Sequence, residues 1–265
     1  MMRQLERVRR RLWTYKQPIT HAPTQQAVPI SDLFTWRNSD QWETYFELYN
    51  IPALLDLETE GQQTVELSLF DQHGSLLSSH LLHVDNCKRH TISLKNFLDS
   101  NHGEWGTFAV FHLHYPESIA KLGCFVAERG YVSYRYNNSP MRSYVHGNLD
   151  AVAKLPAGKL ELLGARSFLK RDFRLQFLNQ GMNSIELFLA NPTNHLQRLS
   201  CSFLTSGARQ LLGCAEIEIP PGGVRVVERN LDSDDPVYVE IKSKLVMARP
   251  LVFTFQNSGM DVFHG

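Results

Sequence analysis

Several features that would assign a protein to a chemical class are missing from this sequence. Its 265 residues include four cysteines, none in a C-x-x-C pair and none at the spacing of a zinc finger or ribbon. No run of 18 apolar residues occurs, and no secretory apolar core follows the start. The formal net charge is zero, which disfavours nucleic acid as a partner. We therefore expect a cytoplasmic globular protein with reduced thiols and no transmembrane segment.

Common catalytic motifs are absent as well. The sequence contains no G-x-S-x-G, no G-x-G-x-x-G, no phosphate-binding P-loop and no H-E-x-x-H. These absences leave enzymatic activity undecided but favour a non-enzymatic protein. We accordingly expect no catalytic residue and no cofactor, with a divalent metal as the alternative considered below.

The N-terminal segment differs from the rest of the chain in charge. Residues 1–16 carry six arginines and lysines against one glutamate. Leu5, Val8, Leu12 and Tyr15 recur at helical spacing, which predicts a short amphipathic helix with a basic face. Three prolines follow within residues 17–30, so we expect residues 1–30 to form a basic helical arm and a linker.

Beyond this arm the sequence is typical of β-strands. Short runs rich in Val, Ile, Phe and Tyr, such as residues 64–70, 106–115 and 250–255, alternate with Gly, Pro, Asn and Asp clusters. This pattern predicts an all-β fold of antiparallel strands.

The chain also repeats itself. Residues 131–147, YVSYRYNNSPMRSYVHG, return as residues 250–265, PLVFTFQNSGMDVFHG, and four further blocks recur in the same order. The repetition predicts two tandem antiparallel β-sandwiches: copy one at 31–150 with an aromatic lead-in, a linker at 151–167, and copy two at 168–265. Each copy has about the ~100 residues of a single sandwich. Open sheet edges favour a homo-oligomer.

Copy two carries loop motifs that suggest a family. Asn191-Pro192, Pro220-Pro221-Gly222-Gly223, Arg225 and Arg249-Pro250 occur in an order that resembles the sensory-rhodopsin-transducer-type β-sandwich. The resemblance implies a non-catalytic sandwich that binds a ligand or protein and assembles through sheet edges, and it transfers no specific site residue. Copy one departs from it, because Asp85-Asn86-Cys87-Lys88 replaces the Pro-Pro-Gly-Gly turn.

The polar residues written in both copies are candidates for a site. They are Asn138, Ser139 and His146 in copy one, and Asn257, Ser258 and His264 in copy two. Asn and Ser after a strand commonly cap a turn through side-chain-to-backbone hydrogen bonds, so one interpretation is structural. The alternative is a pair of polar pockets, or one site between the copies, that uses His146 and His264.

A second group of candidates surrounds the end of copy one. We expect Tyr134 and Tyr136 to face the core, because Phe253 and Phe255 stand at the matching positions, and Arg135 to face outward. Guanidinium groups suit carboxylates and phosphates. The tentative ligand-binding set is Trp36, Arg129, Arg135, Arg142, His146, Asn148 and Asp150. The function we infer is a non-enzymatic binding or adaptor protein that holds a small anionic ligand, including a sugar-derived one, or a protein partner.

Histidines in copy one support an alternative. His112 and His114 stand two residues apart, which places both on one face of a strand, and a third ligand would complete a metal site. His83 and His90 are candidates for that ligand. The alternative function is therefore a metal-dependent enzyme or a metal-binding β-sandwich, and a second alternative is a structural assembly protein.

Overall fold

The computed structural model is all-β throughout the part of the chain that it describes. It describes residues 28–50, 63–84, 89–99, 101–113, 127–128, 130–147, 150–164, 166–177, 182–205, 210–231, 237–245, 249–256 and 259–265, with backbone only at Gln63, Ala127, Asp150, Gln176 and Phe177. No α-helix lies within these ranges, and none of their helical segments could span a membrane. The predicted N-terminal helix lies outside the described residues and stays a prediction.

The described residues form twenty strands and two short 3₁₀ turns, Leu94–Asn96 and Pro156–Gly158. In chain order the strands are β1 (Ile30–Asp32), β2 (Phe34–Arg37), β3 (Trp42–Tyr49), β4 (Gln63–Asp71), β5 (Leu76–Val84), β6 (Arg89–Ser93), β7 (Trp105–His112), β8 (Ala127–Glu128), β9 (Tyr131–Tyr136), β10 (Ser143–His146), β11 (Asp150–Lys154), β12 (Leu160–Leu162), β13 (Arg166–Phe177), β14 (Met182–Ala190), β15 (Gln197–Thr205), β16 (Leu211–Ile219), β17 (Val224–Asn230), β18 (Val237–Leu245), β19 (Leu251–Gln256) and β20 (Gly259–His264).

The strands form five sheets of four strands, and the two halves of the chain use the same strand order. In the first half the orders are β2-β7-β4-β5, which we name sheet I, and β10-β9-β3-β6, sheet II. In the second half they are β13-β18-β15-β16, sheet III, and β17-β14-β19-β20, sheet IV. The fifth sheet, β12-β11-β1-β8, contains one parallel pair, β1 with β8, among antiparallel ones.

The largest apolar core is shared by both halves. It joins sheets I and II, where Phe46 packs between Phe34 and Phe108 with ring centroids 5.0 and 5.6 Å away. The same core continues into sheet IV through Phe188 and Phe253. The second half also has its own core between sheets III and IV. The two central strands of sheet IV, β14 and β19, therefore carry apolar side chains on both of their faces.

The expected division into two tandem sandwiches is not clear in this arrangement, because the five sheets form a propeller-like ring. In the first half, sheet I packs on the face of sheet II that carries Val132 and Tyr134. The matching Phe253 of sheet IV faces the shared core, whereas sheet III packs on the opposite face, which carries Val252. The two halves thus have the same strand order, but their sheets pack on opposite faces of the matching strands.

The segment expected to be a linker belongs to the fifth sheet instead. Residues 151–167 contain most of β11, all of β12 and the start of β13. Ala151 and Val152 pack with Phe70, Ala109 and Phe111 against the outer face of sheet I.

Candidate functional site

The two histidines written in both copies lie side by side where the halves of the chain meet. His146 ends β10 and His264 ends β20, and their ring centroids are 5.4 Å apart although 118 residues separate them in sequence. Between the same two strands, Ser143 Oγ donates a 3.3 Å hydrogen bond to the carbonyl of Met260. The alternative interpretation of these residues, one site between the copies, therefore has a geometric basis.

In both histidine rings, a carbonyl partner determines which nitrogen carries the proton. His146 Nδ1 lies 2.7 Å from the carbonyl of Gly147, and His264 Nε2 contacts the carbonyl of His146. A carbonyl only accepts, so each of these nitrogens is the one that carries a proton. Burial lowers the pKa of His264 below its ordinary value; the hydrogen bond to the carbonyl of His146 opposes this shift, and electrostatic repulsion by the His146 ring and Arg249 adds to it.

A cavity of about 60 Å³ opens beside the histidine pair. Its polar lining includes His146, His264, Arg249 and Thr35, and its walls are apolar, including Val132, Val145, Phe188 and Leu251. The volume equals the space of about four to six water molecules. A ligand held inside would therefore have only a few non-hydrogen atoms.

Two features fix the shape of this cavity. Tyr134 Oη donates a 2.8 Å hydrogen bond to the carbonyl of Thr35, which ties β9 to β2 across the cavity. Gly147 stands where a Cβ would lie 2.2 Å from Asp32 Oδ2, so this position admits only glycine without a shift. Asp32 is buried and is the acidic side chain beside Gly147, but it does not line the cavity.

Trp36, one of the tentative ligand contacts, is a core residue. Its side chain is 0% exposed, and its indole Nε1 donates to the carbonyls of Phe70 and Thr107 at 3.0 and 3.1 Å. A ligand cannot reach it, so that assignment is wrong. The aromatic lead-in instead fills the space between the sheets, with Phe34 also in the core.

The expected outward arginines pair within the protein. Arg135 Nη2 lies 2.5 Å from Glu43 Oε2, and Arg142 Nη1 lies 3.2 Å from Glu47 Oε1. Both guanidinium groups also lie over the ring of Tyr45, with Cζ 5.8 and 4.7 Å from its centroid. Each arginine therefore already has a carboxylate partner, although Lys95 also pairs with Glu43 and Arg89 also pairs with Glu47. Arg129 and Asn148 lie outside the described residues, as does the side chain of Asp150.

The described residues of the metal hypothesis are divided between the two faces of sheet I and sheet II. His112 is 3% exposed and pairs with Glu128 through Nε2 and Oε2 at 2.6 Å. In register it stands opposite Val65, whereas His83 stands opposite Thr64, so alternation sends His83 to the other face. His90 lies on β6 opposite Leu48, and His114 lies outside the described residues. No group of three metal-ligating side chains occurs within the described ranges.

The repeated Asn and Ser after β9 have the structural role that their position favours. Asn138 adopts φ +54°, a left-handed conformation that asparagine tolerates, and Ser139 Oγ accepts a 3.2 Å bond from the backbone of Met141. Asn257 and Ser258 lie outside the described residues. Sequence reasoning missed Arg249 and Thr35 as site residues, although Arg249 begins the Arg-Pro motif that it noted.

Comparisons with known proteins give no family. No family model matches the sequence, and no curated protein matches it. Two solved structures are weakly similar: the T13 particle of the virus IBDV, at 10% identity over 85% of this chain with a TM-score of 0.19, and Bacillus subtilis oxalate decarboxylase, at 13% identity over 82% with a TM-score of 0.14. The chain spans 57% and 65% of the lengths of these structures, and at such scores neither likeness carries an argument.

Proposed function

We propose that this chain is a non-enzymatic binding module that holds a small anion in the cavity between β10 and β20. One observation carries the proposal: His146 and His264 lie 5.4 Å apart and line that cavity together with Arg249. Three side chains that are or can become cationic meet there, and a bound anion would offset their mutual repulsion.

Size and wall chemistry narrow the class of ligand. Space for about four to six water molecules suits a monocarboxylate such as acetate, or an inorganic anion such as phosphate. If the ligand is a larger sugar derivative or a protein partner, only its anionic group would enter the cavity. Arg249 would donate a charge-assisted hydrogen bond to the anion, and because Arg249 and His146 are exposed, water competes for this contact.

Proton uptake accompanies binding in this proposal. The lowered pKa of His264 favours the neutral ring in the absence of a ligand. An anion raises that pKa, so binding takes up a proton and strengthens as the pH falls from 8 to 6. The other titratable side chains nearby are His146 and Arg249, which line the cavity, and the buried Asp32 beside Gly147.

The test is a titration of histidine-labelled protein with sodium acetate and with phosphate, followed by NMR at constant ionic strength. We expect saturable shifts of His146 and His264 with one anion, and an affinity about 10-fold weaker in Arg249→Gln, the loss of a charged hydrogen bond. Arg174→Gln, on exposed sheet III, is the matched control and should leave the affinity unchanged. Shifts that do not saturate, or that are equal in Arg249→Gln, would refute the proposal.

We also propose that the two halves arose from one duplicated β-sandwich unit. Their equal strand orders support this, as do contacts between matching positions: Tyr134 with Phe253 at 4.9 Å and Tyr136 with Phe255 at 5.6 Å between ring centroids. Self-contact of equivalent positions is typical of an isologous dimer interface. The likeness to the sensory-rhodopsin-transducer-type sandwich, the cytoplasmic location and self-association stay predictions from sequence.

The metal alternative has one observation in its favour. A carboxylate that holds one nitrogen of a histidine, as Glu128 holds His112, is the arrangement that orients metal-binding histidines. Metal analysis of the purified chain decides between the two functions. Stoichiometric zinc, iron or manganese that disappears in His112→Ala/His114→Ala would favour the metal function over ours.

A further inference from the structure

An apolar tip surrounded by cations projects from the edge strand of sheet III. In β13, Arg166 pairs with Leu245 and Arg171 pairs with Ser243, so residues 167–170 stand opposite a single residue of β18. The extra residues form a bulge. Ser167 is buried and anchors it, whereas Phe168 and Leu169 are 71% and 68% exposed.

Exposure of two consecutive large apolar side chains is unusual on a strand. Regular alternation would turn one of them inward, and the bulge prevents this. The bulge projects outward, so a protein partner would need a matching pocket, whereas the apolar layer of a membrane interface needs none.

Basic side chains surround the tip. A surface cavity beside it is lined by Arg166, Lys170, Arg198 and Lys244 together with Leu196 and Gln197. Within the described residues, none of Arg166, Lys170, Arg171 and Lys244 forms an ion pair with an acidic side chain. Two acidic residues are close in register: Glu218, which pairs with Arg198 at 2.6 Å, and Asp172, which stands opposite Lys242. The surface around the tip therefore has an excess of positive charge.

We propose that the bulge of β13 docks the protein on an anionic lipid surface. Phe168 and Leu169 enter the boundary between headgroups and acyl chains, and Arg166, Lys170 and Lys244 bind the headgroup phosphates. The inference is independent of the anion cavity, which lies at the junction of β10 and β20. Each basic residue near an anionic leaflet strengthens binding by about fivefold, from ~1 kcal/mol.

Sedimentation with vesicles tests this surface in the full-length chain. Wild type is compared on vesicles of 30% phosphatidylserine in phosphatidylcholine and on phosphatidylcholine alone, with the variants Phe168→Ser/Leu169→Ser and Lys170→Gln/Lys244→Gln. The control, Leu76→Ser/Leu81→Ser, removes apolar side chains that are 55% and 61% exposed elsewhere. Circular dichroism and the thermal midpoint establish that each variant is folded.

We expect wild type and the control to bind the anionic vesicles and to release them as salt rises from 0.15 to 0.5 M. The charge variant should bind about 25-fold more weakly, the product of two basic residues, and the apolar variant at least about 10-fold more weakly. Equal binding by wild type and both variants would overturn the proposal, because another part of the chain would then be responsible. Binding to polyglutamate but not to vesicles would overturn it too, since the partner would be an acidic protein.

Discussion

The ion pair between Arg37 and Glu186 joins the two halves of the chain in an apolar setting. Arg37 Nη1 lies 2.5 Å from Glu186 Oε2, and the two side chains are 9% and 16% exposed. The guanidinium Cζ lies 3.6 Å from the ring centroid of Trp42 and 5.0 Å from those of Phe188 and Phe253. Burial lowers the pKa of Arg37 and raises that of Glu186, so both charges depend on one another.

Replacing only the arginine leaves a nearly buried carboxylate without its partner. Removing one member of a buried pair costs about 3–5 kcal/mol of unfolding free energy. Glu186 keeps slight contact with water, which reduces this cost, whereas loss of the contacts with the three aromatic rings adds about 0.5–2 kcal/mol. We therefore expect Arg37→Met to cost about 3 kcal/mol. Arg37→Met/Glu186→Leu should recover most of that loss, because an apolar pair of similar volume is often neutral.

Urea unfolding followed by circular dichroism measures these values, with the m-value checked for constancy. The exposed pair Arg174 and Glu240 is the control, and Arg174→Met should cost less than about 1 kcal/mol. The reasoning is refuted if Arg37→Met costs less than about 1 kcal/mol, or if the double variant is as unstable as the sum of the single ones.

Three further predictions concern a turn, a histidine and a cysteine pair. In urea unfolding, Gly74→Ala should cost about 1–3 kcal/mol more unfolding free energy than Gly103→Ala. Both glycines have φ above +80°, but a Cβ at Gly74 would lie 2.0 Å from the carbonyl of Pro221, whereas a Cβ at Gly103 would have nothing within 4 Å. Equal costs would mean that the turn at Gly74 does not touch the turn at Pro221. The free energy of unfolding should fall as the pH drops below about 6.5, because the unfolded chain binds a proton at His264 that the folded chain, with its lowered pKa, does not. The unfolding free energy of His264→Gln should fall less between pH 7.5 and 5.5, and an identical slope in wild type and variant would contradict this. Iodoacetamide at pH 8 should label the exposed Cys214 and should not label Cys201 until urea unfolds the chain, because burial raises the pKa of the Cys201 thiol to about 12. Peptide mapping that finds Cys201 labelled first would contradict the core packing.

Strand positions followed from the sequence because local patterns determine them. The match of Tyr134 and Tyr136 with Phe253 and Phe255 identified core-facing positions, and Tyr134 is fully buried while Tyr136 packs against the core. Trp36 was misassigned because aromatic side chains suit a ligand surface and a core equally well. The segment 151–167 was misassigned because its strands, such as β12 with three residues, are too short to give a periodic pattern.

Sheet packing could not be predicted for a different reason. Strands β14 and β19 carry apolar side chains on both faces: Leu187 and Val252 face sheet III, while Phe188 and Phe253 face the shared core. Alternation tells which residues share a face, but it does not tell which sheet covers that face. The ion pairs of Arg135 and Arg142 could not be predicted for the same reason, because only the tertiary structure brings Glu43 and Glu47 close to them.

The position of the histidine pair follows from the repeated sequence and the shared core together. Matching strands β9 and β19 meet through matching aromatic residues, so the strands that follow them, β10 and β20, also meet. Each ends in His-Gly, and the contact therefore brings two imidazoles together without any further sequence signal. The His-Gly ending that each half carries thus becomes a pair of adjacent imidazoles only where the halves touch. His146→Asn should consequently weaken anion binding in the NMR titration about as much as His264→Asn, and an effect of only one of them would argue against a shared site.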